Sequence, residues 1–289
     1  MRSDKYNVEE KKEDIKEPIK KESNILKKIL IIIIIVLVLL FIYIKFINPN
    51  ELKINEYKIE HSLINKDYDG FKIVHISDIH YGTHINSKKL NKIVKKINEL
   101  KPDIVIFTGV LFDKDIVLNE DNYNELITTL SNIEAKLYKY AIAGDEDDNE
   151  KYYSILDNSN FILLDNKYKL LFNNSEVPLV LYGFDNNNPD YSILDDEEFN
   201  SYYKIALIHK PDEYSKLSNT DLILAGHSLG GTINIINPLF KKEGSKEYYK
   251  KHYSFENKEL FISYGLGTNK LGIRFNNSPS INLYRLYNK

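Results

Sequence analysis

Cysteine is absent from this sequence, which rules out disulfides, thiolate metal ligands and a cysteine nucleophile. The absence does not fix the compartment, because an exported protein can do without bridges. A positive surplus is missing too. The 39 Lys and Arg stand against 42 Asp and Glu, and a net charge of −3 supplies no field to gather a nucleic acid. No internal repeat divides the chain. What is present, 43% hydrophobic and 28% charged residues over 289 positions, suits one folded domain of ordinary size plus an additional segment, and not a disordered chain.

That segment lies near the N-terminus. Ile29 to Ile44 are sixteen consecutive residues without a charge, and Phe46 and Ile47 extend the run while Lys45 can snorkel to the headgroups. As a helix, residues 29–47 would cover about 28 Å, one hydrocarbon thickness. No small-x-small cleavage pattern follows, since the flank is Tyr43-Ile-Lys-Phe-Ile-Asn48, so a retained transmembrane helix is expected over a cleaved signal peptide. Ile31 to Ile35 leave no polar face for a buried core helix. In the eighteen residues before the run stand seven lysines (Lys11, Lys12, Lys16, Lys20, Lys21, Lys27, Lys28), against three (Lys45, Lys53, Lys58) over a similar length on the other side. The imbalance predicts a single-pass cell-membrane protein with residues 1–28 as a charged cytoplasmic tail, disordered or loosely helical. Residues 48–70 are expected to form a linker and lead-in, and 71–289 an extracytoplasmic domain with no further internal boundary.

From Phe71 the pattern alternates between strand-like and helix-like runs, as in an α/β domain. Phe71–Ser77, Asp103–Thr108, Lys139–Ala143, Leu179–Gly183, Tyr203–His209, Asp221–Ala225, Leu260–Tyr264 and Ile281–Leu286 read as strands. Leu90, Ile93, Val94, Ile97 and Leu100 share one face of a helix that Ser87 can cap and Pro102 stops. Asp121–Ile133 suits a second helix. Residues 232–259 carry no clear pattern.

Several of these strands end in polar or glycine-rich clusters: Asp78-Ile-His80, Gly109-Val-Leu-Phe-Asp113, Gly144-Asp-Glu-Asp147, His209 and Gly226-His227. Ligands bind beyond the carboxyl ends of strands in open α/β sheets, and converging carboxylates and imidazoles suit divalent cations. Singly, each cluster has a bland explanation as a hydrogen-bonded strand end. Five in order do not.

The order Asp-x-His, Gly-Asp-x-x-Asp, Gly-Asn-His-Asp/Glu, His, Gly-His-x-His marks the calcineurin-like metallophosphoesterases, and this chain resembles it from Ile76 to Gly231. The run Ser263 to Pro279 is similar to the membrane-anchored bacterial branch of that family. The resemblance implies a two-sheet sandwich flanked by helices with a two-metal site at one edge. By this resemblance Asp78, His80, His209 and His227 match metal ligands. Asp145 stands for the asparagine ligand, Glu146 for the histidine that protonates the leaving group, Val110 for the bridging aspartate and Leu229 for the last histidine. Two dications about 3.7 Å apart repel by roughly 18 kcal/mol at an effective dielectric near 20. A bridging carboxylate offsets that repulsion and an isopropyl group cannot. An intact two-metal site is therefore not expected. One divalent ion (Mn, Fe or Zn) held by Asp145, His209 and His227 is, with Asp78 and His80 as the remnant of the other site and Glu146 as the candidate acid.

Three functions compete: a non-catalytic relative that binds a phosphate-containing ligand or a cell-surface partner, a weak one-metal phosphoesterase, and a serine hydrolase. The last rests on Gly226-His-Ser-Leu-Gly230, the form of a nucleophile elbow. An elbow should open a helix, yet Thr232–Pro238 is β-branched and ends in proline; downstream only His252 follows, with no aspartate after Asp221. Among the other polar residues, His75 is expected to pack within its strand, His84 to lie near the site, and Asp147 and Asp148 to cap the following helix.

Overall fold

The computed structural model describes residues 19–147, 150–235 and 237–289. It divides into two compact units, Met1–Ile42 and Tyr43–Lys289. In the first, helix α1 (Ile19–Ile42) begins ten residues before the apolar run. The stretch Asn24–Asn50 contains an 18-residue window of mean hydropathy 3.3, and it is the one helical stretch among the described residues long and apolar enough to cross a membrane. From Ile25 to Ile42 its isoleucines and leucines are exposed.

The second unit opens with a π-helical turn, Tyr43–Ile47, and a 3-10 turn, Asn48–Asn50. Two six-stranded sheets follow. The first contains β1 (Lys53–His61), β2 (Phe71–Ile76), β3 (Ile104–Phe107), β4 (Tyr138–Ala141), β5 (Phe161–Leu163) and β12 (Ser280–Asn288), in the order β1-β12-β2-β3-β4-β5. The second contains β6 (Lys167–Leu171), β7 (Leu179–Gly183), β8 (Lys204–Ile208), β9 (Leu222–Ala225), β10 (His252–Phe255) and β11 (Lys258–Ile262), in the order β10-β11-β9-β8-β7-β6. Helices α2 (Ser87–Glu99), α3 (Glu120–Ser131) and α4 (Glu150–Asn158) cover the outer face of the first sheet.

The apolar runs of the central strands follow from burial on both faces. In β3, Ile104 and Ile106 point into the sandwich with Ile73, Leu181, Ile205, Leu207 and Leu224, while Val105 and Phe107 pack under Leu90, Ile93, Ile97, Leu126 and Ile155 of the helices. On the far side of the second sheet, Val180, Tyr182, Ala206, Ile208 and Ile223 meet Leu194, Phe199 and Leu217. The core is thus three layers deep, and all eight strands read from the sequence lie in it within a few residues of their expected ends.

Residues 48–70, expected as a linker and lead-in, instead carry β1. It pairs in parallel with β12 from Lys53–Ser280 to His61–Asn288, and Tyr57 stacks on Tyr284 with centroids 5.5 Å apart. Its alternation of charged and half-buried residues is that of an edge strand, which hides it from a search for apolar runs. The cap of α2 is Asn86, whose side chain accepts from Lys89 N at 2.9 Å, in place of Ser87. Strand β1 shields the hydrogen-bonding edge of β12. A fragment covering 71–289 should therefore aggregate or unfold without a cooperative transition, whereas a fragment covering 43–289 should unfold cooperatively. Matching urea transitions for the two would show β1 to be dispensable.

Candidate metal centre

Strands β2, β3 and β4 run parallel in one sheet and β8 and β9 parallel in the other, and the turns after all five come together. Contacts between turns establish it. His209 Nδ1 lies 2.7 Å from Thr108 O, His227 N donates to Asp78 Oδ2 at 2.9 Å, and Ile79 N donates to Val110 O at 2.8 Å. At Gly226 a Cβ would sit 2.0 Å from Ser77 Oγ, so only glycine lets the last turn approach the first.

The backbone here is strained. Asp78, His80, Val110, His227 and Leu229 have φ of 49°, 50°, 59°, 66° and 45°. Left-handed geometry costs an L-residue roughly 1–2 kcal/mol, and a β-branched valine tolerates it least. Three of the five expected ligands, Asp78, His80 and His227, and both replaced positions are among them, whereas Asp145 and His209 are not. The turns keep a ligand-presenting shape even where Val110 and Leu229 present no ligand, and both of those side chains are buried.

Asp145, His209 and His227 form the centre, their ligand atoms all within 4.8 Å of one another. Asp145 Oδ1 lies 3.0 Å from His209 Nε2 and 3.6 Å from His227 Nδ1, and the two imidazole nitrogens are 3.2 Å apart. The outward nitrogens face carbonyls: Thr108 O for His209 and Glu243 O, at 2.7 Å, for His227 Nε2. A carbonyl can only accept, so each outward nitrogen carries the proton and each inward one presents a lone pair. With both imidazoles neutral, two lone pairs and a carboxylate converge, a set that is satisfied either by a cation or by a proton on His209 Nε2 donating to Asp145. Burial pushes His209 down, but the hydrogen bond to Asp145 and the charges of Asp78 and Asp145 outweigh it, so its pKa is raised. Burial, assisted by the charge of His209, lowers His227. Burial opposes the ionised form of Asp145, yet its bonds to both imidazoles hold it far below the usual carboxylate range.

The expected partners of the other metal lie apart from this trio. Asp78 Oδ2 accepts from Ser77 Oγ at 2.5 Å and from His227 N, while its Oδ1 is buried without a partner. His80 Nδ1 is paired with Asp113, whose second oxygen accepts from Thr83 Oγ1 at 2.6 Å, and His80 Nε2 is buried and unpartnered. Glu146 is partly exposed, and its Oε2 accepts from Lys114 N at 3.1 Å.

Asp147 corrects its expected role as a helix cap. Fully buried, it accepts from Val110 N at 2.6 Å, Leu111 N at 3.0 Å and Gly144 N at 2.8 Å, clamping the turns after β3 and β4 together. Burial pushes its pKa up to about 6 against the pull of those three donors. Asp148 lies outside the described residues. His75 is internal, as expected, with Nε2 2.8 Å from Thr108 Oγ1. His84 is lowered to about 4 by burial and by Lys89, Arg274 and Lys45, and belongs to that basic corner. The Gly226–Gly230 turn is no elbow. Ser228 is buried with Oγ accepting from Gly230 N, a single 3-10 turn follows in place of a helix, and His252 pairs with Glu259 on β11.

Comparison with known proteins agrees with this geometry. The family model for calcineurin-like phosphoesterase matches residues 71–231, more than half of the chain, and the chain belongs to that family. An uncharacterized metallophosphoesterase of Bacillus subtilis (strain 168), YkuE, is 29% identical over 258 residues, which are 84% of this chain and 88% of that protein. Phosphodiesterase YaeI of Escherichia coli (strain K12) is 23% identical over 85% of this chain and 92% of its own length. A transmembrane protein with metallophosphoesterase domain from Danio rerio is 24% identical over 65% of this chain and 48% of its own.

Replacing Asp147 by alanine would strand three buried N–H groups at a cost of about 1–3 kcal/mol each before relaxation. Asp147→Ala should therefore lower unfolding stability by roughly 3 kcal/mol or more. Urea denaturation of the detergent-solubilised protein measures this, and a loss under about 1 kcal/mol would remove Asp147 from its clamping role.

Proposed function

We propose that this protein is a membrane-tethered family member that holds one divalent cation at Asp145, His209 and His227. Through that cation it binds a phosphate-containing ligand or a surface partner, with two-metal ester hydrolysis lost or strongly reduced. The observation that carries this is the convergence of Asp145 with two imidazoles whose outward nitrogens face the carbonyls of Thr108 and Glu243. The donor set of two imidazoles and one carboxylate fits Mn, Fe or Zn. A second ion of the family's usual kind does not fit, because Val110 and Leu229 place buried hydrocarbon at two of its ligand positions. When bound, one cation supplies Lewis-acid attraction for a phosphoryl oxygen. The chain's own part is to orient: carbonyls fix both imidazole tautomers, Asp145 neutralises charge, and Asp147 holds the turns in register. Glu146, at the position of the family's histidine, accepts from Lys114 N–H through Oε2 and keeps Oε1 for the role of candidate acid.

A second reading, a weak one-metal phosphoesterase, is favoured by the unpartnered Asp78 Oδ1 and His80 Nε2 and by the phosphodiesterase name of the Escherichia coli relative. Elemental analysis of the purified protein separates the readings from an intact enzyme. One ion per chain is expected, falling to trace in Asp145→Ala and His227→Ala and rising toward two in Val110→Asp with Leu229→His. Affinity should be level above the raised pKa of His209 and fall as pH drops through it, since a proton then occupies the nitrogen that binds the ion. Rapid hydrolysis of generic phosphodiesters by the unmodified protein, abolished by His227→Ala, would overturn the non-catalytic reading.

The lysine imbalance around the apolar helix supports an orientation with the tail in the cytoplasm and the domain outside. Protease added to intact cells should digest the domain and spare the tail. A protected domain reverses the assignment.

A further inference from the structure

A groove of about 620 Å³ lies beside α2, lined by Pro49, Asn50 and the lysines Lys88, Lys89, Lys92, Lys95 and Lys96. None of the metal-centre residues lines it. The ordinary account of such lysines is a solvated helix face, since Leu90, Val94 and Ile97 of α2 are buried on the other side, with Ile93 reaching the groove floor. Solvated faces usually mix signs, and this one does not. Glu99 is the one acid in the lining, and it is taken by Lys96 at 2.7 Å. Lys89 Nζ donates to Pro49 O at 3.1 Å, and among the described residues Lys88, Lys92 and Lys95 have no carboxylate partner. Crowding by the buried Arg274 and by burial itself lowers Lys89 to about 8.

The position of the groove singles out its occupant. Pro49 and Asn50 are two and three residues past Ile47, the last apolar residue of the membrane-spanning candidate, so the groove begins within one helical turn, in sequence, of that apolar run. The turn Tyr43–Ile47 also packs on a second feature of the same unit. Lys45 Nζ donates to Leu271 O at 2.6 Å, Tyr43 meets Phe275 edge-on at 6.0 Å, and Arg274 N donates to Ile44 O at 3.1 Å. Next to these contacts, Ile235, Leu239 and Leu271 are 63%, 61% and 57% exposed, with Phe240 beside them. Large exposed apolar side chains at loop tips and unpaired lysines, both on a unit that follows an apolar helix directly in sequence, have the composition of an interfacial surface.

We propose that this face is a lipid-binding surface: the lysine groove takes the phosphate groups of anionic phospholipids in the bilayer that the anchor crosses. Ile235, Leu239, Phe240 and Leu271 enter the interface alongside Tyr43. Attraction of clustered lysines to anionic headgroups supplies the long-range part, and burial of the loop tips the short-range part. The surface is independent of whether the metal centre hydrolyses anything.

The test uses the full chain in lipid nanodiscs, with a water-soluble amine reagent and mass spectrometry. Lys88, Lys92 and Lys95 should be labelled about fivefold more slowly in discs containing phosphatidylglycerol than in phosphatidylcholine discs, with high salt abolishing the difference. Lys167 and Lys169 on the exposed β6 serve as controls and should not change. Equal labelling in both lipids overturns the proposal, whether both are fast or both are protected by proximity alone. Equal protection by soluble glycerol phosphate in phosphatidylcholine discs overturns the lipid source and leaves a free-phosphate site. The chain has no tryptophan, so Leu239→Trp is a unique fluorophore. Its emission should shift to the blue and be quenched by brominated lipid; a solvent-like, unquenched spectrum removes the loop from the interface.

Discussion

One buried carboxylate ties the ends of two parallel strands to each other, and the candidate site depends on it. Asp147 accepts from Val110, Leu111 and Gly144, so the turns after β3 and β4 are held at a separation where a Cβ on Gly109 would lie 2.4 Å from Gly144 N. That clamp makes the left-handed conformation of Val110 affordable. It also fixes Asp145, two residues away, against His209 and His227. The valine carbonyl in turn receives Ile79 N, which seats the Asp78–His80 turn. A single acid that touches no ligand thus sets the relative position of most of the groups that could.

The site therefore separates scaffold from chemistry. Five ligand-bearing positions keep positive φ, while two of them carry aliphatic side chains. Strain of this kind is usually tolerated because function uses it. At Val110 and Leu229 it survives through the hydrogen bonds around it, with Asn277 Nδ2 donating to Leu229 O at 2.9 Å. What remains is an asymmetric centre. One side has three converging ligands with locked tautomers, and the other has Asp78 and His80 bound to Ser77 and Asp113.

The sequence was legible where burial is two-sided or where motif order is preserved. Ile104 to Phe107 and Leu222 to Ala225 are unbroken apolar runs because both faces of each sheet are covered. Asp145, His209 and His227 could be grouped only through their order in the chain, since 82 positions separate the first from the last. Edge strands were hidden: β1 and β10 alternate exposed and half-buried residues and resemble loops. Asp147 was hidden for another reason. An aspartate just before a helix has the local signature of a cap, and nothing nearby in sequence shows that its acceptors' partners lie 36 and 37 residues upstream. The Asp113–His80 pair was likewise invisible, although Asp113 stood in a recognised cluster.

The buried guanidinium of Arg274 donates to the carbonyls of Tyr264, Gly267 and Asn277, and its own N–H holds the carbonyl of Ile44. The π-helical turn Tyr43–Ile47 is therefore hydrogen-bonded within the folded unit to which it belongs. A domain on a flexible leash explores a hemisphere whose radius grows with the square root of the leash. Residues 43–50, folded as a π turn and a 3-10 turn, add no flexible spacer of that kind before β1.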